Sequence, residues 1–219
     1  MNKGGNIGMK NQFIVIEGLD GAGKTTQIRL LREALEEKGV RVHVSTEPTE
    51  YESGKALRRA LSGKEPKTAC EMAVMFTIDR IAHNQHPESG IEALLKDGYT
   101  VISDRYYYSS MAYQGSLTDE FWVDTLNRGC PEIRRPDLCI FLDLAPEKSM
   151  ERITKNRAAE ELEIYETHDR LAKVREKFLS MFDRLAKETA PEKKENGVII
   201  DASGTIDEVA AKIRAAVLG

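Results

Sequence analysis

FIVIEGLDGAGKTT, residues 13–26, decides the fold of this chain. FIVIE (13–17) is rich in β-branched and apolar side chains, as a strand buried on both faces should be. Gly18-x4-Gly23-Lys24-Thr25 then fits the phosphate-loop pattern. Next, TTQIRLLREALEEKG places Ile28, Leu31 and Leu35 on one helical face and stops at Gly39. The loop therefore lies between a strand and a helix, the context the pattern needs. Its predicted cradle for a nucleoside triphosphate is Gly18, Leu19, Asp20, Gly21, Ala22, Gly23, Lys24, Thr25 and Thr26. Glycines let backbone N–H groups turn inward, Lys24 adds a point charge, and the Thr25 hydroxyl suits Mg²⁺. Asp20 is the anomaly, because a carboxylate among phosphate charges repels the ligand.

Outward from this loop, apolar β-rich runs alternate with amphipathic segments. VRVHVST (40–46), YTVISD (99–104), LCIFLDL (138–144) and GVIID (197–201) read as further strands. Helices are expected over 54–62, over about 68–96 with a break at HPESG (86–90), and over about 205–218. Alternation of this kind indicates an α/β fold with a parallel sheet covered on both faces. Residues 147–195 are densely charged, with EIY and KFLSMF as the clear apolar clusters. They read as solvated helix faces carrying i,i+4 ion pairs.

The chain has 219 residues, enough for a single α/β domain over 13–219 preceded by a flexible lead-in, 1–12, in which Met9 offers a second start. Its net charge of −4 supplies no general attraction to nucleic acid or membranes, so an anionic ligand must be held by local charges. The three cysteines, Cys70, Cys130 and Cys139, have no CxxC spacing and read as reduced thiols. No signal peptide or bilayer-spanning run is evident, which implies a cytoplasmic protein.

Phosphate binding leaves two classes open, a nucleotide-gated switch and a kinase. A guanine-reading Asn-Lys-x-Asp is absent, and the Asp-x-x-Gly of DASG (201–204) comes at the far C-terminal end, where it cannot serve as a switch after the third strand. A kinase needs an acceptor site as well. DRYYYSSMAYQG (104–115) follows a strand directly, placing Asp104 and Arg105 at the ligand-binding edge of an open α/β sheet. Asp104 suits the Mg²⁺ shell and Arg105 the bridging of two phosphates; a surface ion pair between them is the plainer reading. In MFTIDR (75–80), Phe76 and Arg80 share a helical face, as a base clamp or as a core ring beside a solvated guanidinium. Asp143, in FLDL, is read as a strand-end support in preference to a metal ligand.

EGLDGAGKTTQ, Glu47-Pro48 after the second strand, F-x-x-x-R, DRY-x-x-S-x-x-AYQG and a later arginine-bearing segment together resemble the thymidylate kinase family, in that family's order. The resemblance runs from residue 13 to the last helix. It implies a P-loop three-layer fold, a five-stranded parallel sheet in the order 2-3-1-4-5 with helices on both faces and a short lid over about 152–166. It also implies transfer of the ATP γ-phosphoryl to dTMP with Mg²⁺, at a site in a homodimer joined through the 55–125 region. Carried over by position, Phe76 would stack on thymine, Arg80 would donate to its O4 edge, and Ser110 and Gln114 would lie nearby. Arg105 would meet the dTMP phosphate, while Tyr106 and Tyr113 would shape the sugar pocket with Glu47 and Pro48 beside them. Asp20 would turn to the acceptor and take a hydrogen bond from the deoxyribose 3′-hydroxyl, which removes the anomaly.

Two departures follow. Relatives with an arginine after the loop aspartate have Gly21 here, so the missing cation is expected from the lid, with Arg157 first and Arg152 second. Relatives with Arg-Glu-Pro have Thr46-Glu47-Pro48 here. That leaves Arg58 or Arg59 as substitutes and leaves dUMP or another nucleotide open as acceptor. A regulatory protein that binds nucleotide without turnover is the reading from a different class.

Overall fold

Along the central strands, alternate side chains enter two separate cores. Phe13, Val15, Val101, Cys139 and Phe141 face one side of the sheet, and Ile14, Ile16, Ile102, Ile140 and Leu142 face the other. Burial on both faces is the signature of a parallel sheet under helices. The computed structural model describes residues 11–156, 168–190 and 194–219. Its five strands are β1 (Phe13–Gly18), β2 (Val42–Thr46), β3 (Thr100–Asp104), β4 (Leu138–Asp143) and β5 (Gly197–Asp201). They are parallel throughout and lie in the order β2-β3-β1-β4-β5, as the resemblance implied.

Helix α1 (Lys24–Glu36) and the last helix, α9 (Ile206–Leu218), cover one face, through Ile28, Leu31, Leu35, Val209 and Ile213. The other face is covered by α2 (Glu52–Leu61), α3 (Ala69–Gln85), α4 (Ile91–Lys96), α5 (Tyr107–Tyr113) and α6 (Glu120–Arg128), with α7 (Pro146–Asn156) and α8 (His168–Lys187) completing the fold. The break foreseen at 86–90 separates α3 from α4. Helix α3 starts on a capping box between Thr68 and Glu71, and α9 on one between Thr205 and Glu208.

One expectation needs adjusting. Leu171, Val174, Phe178, Met181, Phe182 and Leu185 of α8 form a buried stripe, so this helix is a core element as well as a charged surface. Phe178 stacks on Phe141 with ring centroids 4.6 Å apart. The apolar residues recur at helical spacing, but the charges between them dilute the signal. Of the expected lead-in, residues 1–10 lie outside the described residues, and the Gln12 carbonyl, just before β1, accepts from the Val101 N–H at 2.9 Å.

The topology brings the carboxyl ends of β1, β2 and β3 side by side. Thr46, Ile16 and Asp104 pair across this edge, and Glu47 donates its N–H to the Asp104 carbonyl at 3.1 Å. Asp143, at the end of β4, is held by both arms of Arg175 at 2.6 and 2.8 Å, which makes it the strand-end support foreseen. All three cysteines are free thiols.

Candidate active site

Gly21 and Gly23 have φ of 77° and 92°, left-handed values that let the loop from Gly18 to Thr25 fold back on itself. Gly23 is the N-cap of α1 and places no side chain against the first turn. The helix thus presents N–H groups and the positive end of its dipole to the loop's concavity. Lys24 is buried, and its ammonium bonds the Gly18 and Leu19 carbonyls, each at 3.2 Å. Burial lowers its pKa, helped by the nearby Arg105. A cleft of about 610 Å³ opens over this loop, lined by Asp20 to Gln27, Thr46, Glu47, Asp104, Arg105 and Arg152. Its far wall is Ala202, Gly204, Thr205, Ile206 and Val209. The sequence reading missed this wall, although DASG at a strand's carboxyl end was its signal.

A second, narrower cleft of about 170 Å³ lies alongside. Its lining includes Pro48, Phe76, Arg80, Tyr106, Ser110, Tyr113 and Gln114, the residues proposed from resemblance for the acceptor. Asp20, Glu47 and Arg105 line both clefts.

Arg80 is not solvated. It is 1% exposed, and its Nε and Nη2 donate to Glu47 Oε2 at 2.9 and 2.5 Å. Its Nη1 donates to Asn127, and both terminal nitrogens reach Ser110 Oγ, at 3.4 and 3.3 Å. Glu47 is itself fixed by His83 Nδ1 at 2.9 Å. Its carboxylate therefore aims the guanidinium into the cleft, a role that the Glu-Pro motif alone did not reveal. Tyr106 is buried beside it, its ring 5.2 Å from the Arg80 guanidinium carbon and its hydroxyl donating to the Arg134 carbonyl at 2.9 Å.

Asp104 and Arg105 do not pair with each other. Arg105 reaches Asp20 instead, with Nη2 2.6 Å from Oδ1. Burial works against its charge, but Asp20, Tyr113, Glu17 and Asp104 outweigh that and raise its pKa well above the ordinary value. Asp104 Oδ1 is buried without a hydrogen-bond partner among the described residues. An anionic oxygen left open beside Thr25 in the first cleft fits a hydrated cation. Among the described residues no three His, Cys, Asp or Glu side chains gather at a metal site, so a Mg²⁺ here would take much of its shell from phosphate and water.

Arg58 is occupied by the Pro48 and Thr49 carbonyls at 2.8 and 2.7 Å, and Arg59 by Glu65 at 2.8 Å. Neither lines either cleft, so neither replaces the arginine that Thr46 displaces. Arg152 does line the first cleft and donates to the Gly21 carbonyl at 3.1 Å. Residues 152–156 of the expected lid are the end of α7, while Arg157 and the remainder, 158–166, lie outside the described residues.

The sequence matches the thymidylate kinase family over residues 16–213. The chain belongs to that family. A probable thymidylate kinase of Thermococcus onnurineus is 39% identical over 206 residues, covering 90% of this chain and 92% of that protein. One of Pyrococcus horikoshii is 36% identical over 216 residues, covering 95% and 97%. One of Thermococcus kodakarensis is 40% identical over 179 residues, covering 77% and 83%. No helix among the described residues is long and apolar enough to cross a membrane.

Proposed function

We propose that Asp20 and Arg105 align dTMP for attack on the ATP γ-phosphoryl. The activity is ATP-dependent phosphorylation of dTMP to dTDP, that of a nucleoside monophosphate kinase. The observation that carries the assignment of roles is the junction: the cleft over the phosphate loop and the cleft of Phe76 and Arg80 share Asp20, Glu47 and Arg105. ATP lies with its phosphates on Gly18 to Thr26 and Lys24, and dTMP lies with its base between Phe76 and Arg80. Ser110 and Gln114 face the base, while Tyr113, Tyr106 and Pro48 close around the sugar.

Phosphoryl transfer depends chiefly on alignment and neutralisation, since a phosphate monoester needs little help as a nucleophile. Arg105 supplies positive charge to the acceptor phosphate. Asp20 holds that guanidinium by its carboxylate and accepts the sugar 3′-hydroxyl. Thr25 and Asp104 would hold the Mg²⁺, which neutralises charge on the ATP phosphates. A further cation over the ATP phosphates comes from Arg157 or, as the alternative, from Arg152. The working protein is a cytoplasmic homodimer comprising a single kinase domain over 13–219.

ADP release in a coupled assay, with dTMP, dUMP, dGMP, CMP and thymidine each as acceptor, tests this reading. Preference for dTMP is expected. Turnover confined to thymidine would reassign the site to nucleosides, and turnover with none would leave a nucleotide-binding protein.

A further inference from the structure

Arg105 has φ of 70°, the one non-glycine residue with positive φ among those described. Such a backbone persists only where its surroundings hold it. Here the Arg105 N–H donates to the Ile16 carbonyl at 3.0 Å, and Ser103 Oγ donates to the Arg105 carbonyl at 2.7 Å. The remaining hold comes from Glu17, at the end of β1 beneath the phosphate loop, whose side chain is fully buried. Its Oε1 accepts the N–H groups of Tyr106 and Ser109 at 2.9 and 3.1 Å. Its Oε2 accepts the Ser109 hydroxyl at 2.7 Å. With its proton committed to Glu17, Ser109 Oγ turns a lone pair to Arg105 Nη1 at 3.0 Å. The other arm of the guanidinium lies on Asp20.

We infer that Glu17 is the positioning residue for the Arg105 guanidinium, acting through the Ser109 hydroxyl. This rests on the reading of Arg105 as the contact to the acceptor phosphate. The chain of bonds gives each member a fixed polarity. When ionised, Oε2 can only accept, so Ser109 donates to it and is left to accept from Arg105. Glu17→Gln keeps the size and an acceptor for both backbone N–H groups, but puts an amide donor against the Ser109 hydroxyl. Ser109 then no longer has its proton drawn away from Arg105. Ser109→Ala removes the link and leaves Glu17 in place.

Calorimetric titration of the wild type, Glu17→Gln, Ser109→Ala and the double variant with dTMP and, separately, with thymidine tests the relay. Thymidine lacks the phosphate that Arg105 is placed to meet. Each single variant is expected to lose about tenfold to a hundredfold in dTMP affinity, the range of one hydrogen bond to a charged group. Thymidine affinity should stay within about twofold, and the double variant should be no weaker than the worse single one. Parallel loss for dTMP and thymidine would show a merely structural role and overturn the proposal. If Glu17→Gln does not fold, Ser109→Ala decides alone, because it severs the relay at its middle. Variants that keep the wild-type preference for dTMP over thymidine would sink the relay and leave the function standing. A wild type without that preference would sink the role of Arg105 and the relay together.

Discussion

Replacing Asp20 by Asn separates the acceptor role of this side chain from any role in holding ATP. The carboxylate lies 2.6 Å from Arg105 and 3.7 Å from Lys24, with a quarter of the side chain exposed. Asn keeps an oxygen at the same place but removes the charge. A hydrogen bond between charged groups is worth about 1.5–3 kcal/mol and a neutral one about 0.5–1.5 kcal/mol, so the loss at Arg105 is about 1–1.5 kcal/mol. The bond to the sugar 3′-hydroxyl weakens by a similar amount. Together they give about 2–3 kcal/mol, a fall of roughly 30- to 150-fold in kcat/KM for dTMP. For ATP the expected sign is opposite or nil. The partly exposed carboxylate near Lys24 opposes phosphate by no more than about 1 kcal/mol, so ATP affinity should hold or rise slightly. Separate titrations with each nucleotide, alongside steady-state kinetics, read both quantities. Equal weakening of ATP and dTMP would refute the reasoning, because it would make Asp20 part of the phosphate cradle.

Other perturbations probe different links. Gly21→Ala should be destabilising and slow, since a Cβ there would lie 2.8 Å from the Ser149 carbonyl at a φ of 77°; thermal unfolding measures this, and an unchanged Tm would contradict it. The same contact argues that an arginine at position 21 would not be accommodated without moving α7. Phe178→Ala should cost about 3–5 kcal/mol in urea unfolding, for a buried ring stacked on Phe141, and a loss below about 1 kcal/mol would remove α8 from the core. Burial raises the Glu17 pKa from 4.5 to about 7 against the pull of Arg105, Ser109, the Tyr106 N–H and Lys24. The folded state therefore holds the proton more tightly than the unfolded chain, so this group's stabilisation is full below pH 4.5 and is lost as pH rises through 7. Relative to the wild type, Glu17→Gln should gain on the order of 3 kcal/mol between those limits in unfolding experiments across pH, and a flat difference would show that the shift is absent. Arg157→Ala should lower kcat by orders of magnitude while sparing dTMP affinity; if kcat is unchanged and Arg152→Ala lowers it, the role belongs to Arg152.

The raised pKa and the hydrogen bonds of Glu17 together describe a trade. Keeping a carboxylate ionised in the interior destabilises the fold, and what it secures is the placement of the Arg105 guanidinium. Arg80 shows the same economy of design in a different form. Its charge is buried but fully matched by Glu47, with Asn127 and Ser110 fixing the remaining donors. A group so constrained meets a ligand without first losing conformational freedom, which is the advantage of a preorganised site.

Local signals were enough for the five strands, for most of the helices and for the phosphate loop, but α5 and α6 were not foreseen. Strand burial, helical periodicity and the glycine pattern each act within a few residues, so FIVIEGLDGAGKTT (13–26) carries its own context. Phe76 and Arg80 could be placed on one face for the same reason. What they faced could not be read, because Glu47, Ser110 and Asn127 come to Arg80 from distant parts of the chain. Nor did the sequence show that Arg105 would choose Asp20 over its neighbour Asp104, or that Ala202 to Val209 would close the first cleft. Periodicity and loop chemistry are properties of neighbours along the chain. Which charges pair, and which clefts share a wall, were decided by the strand order that brings β1, β2 and β3 to one edge.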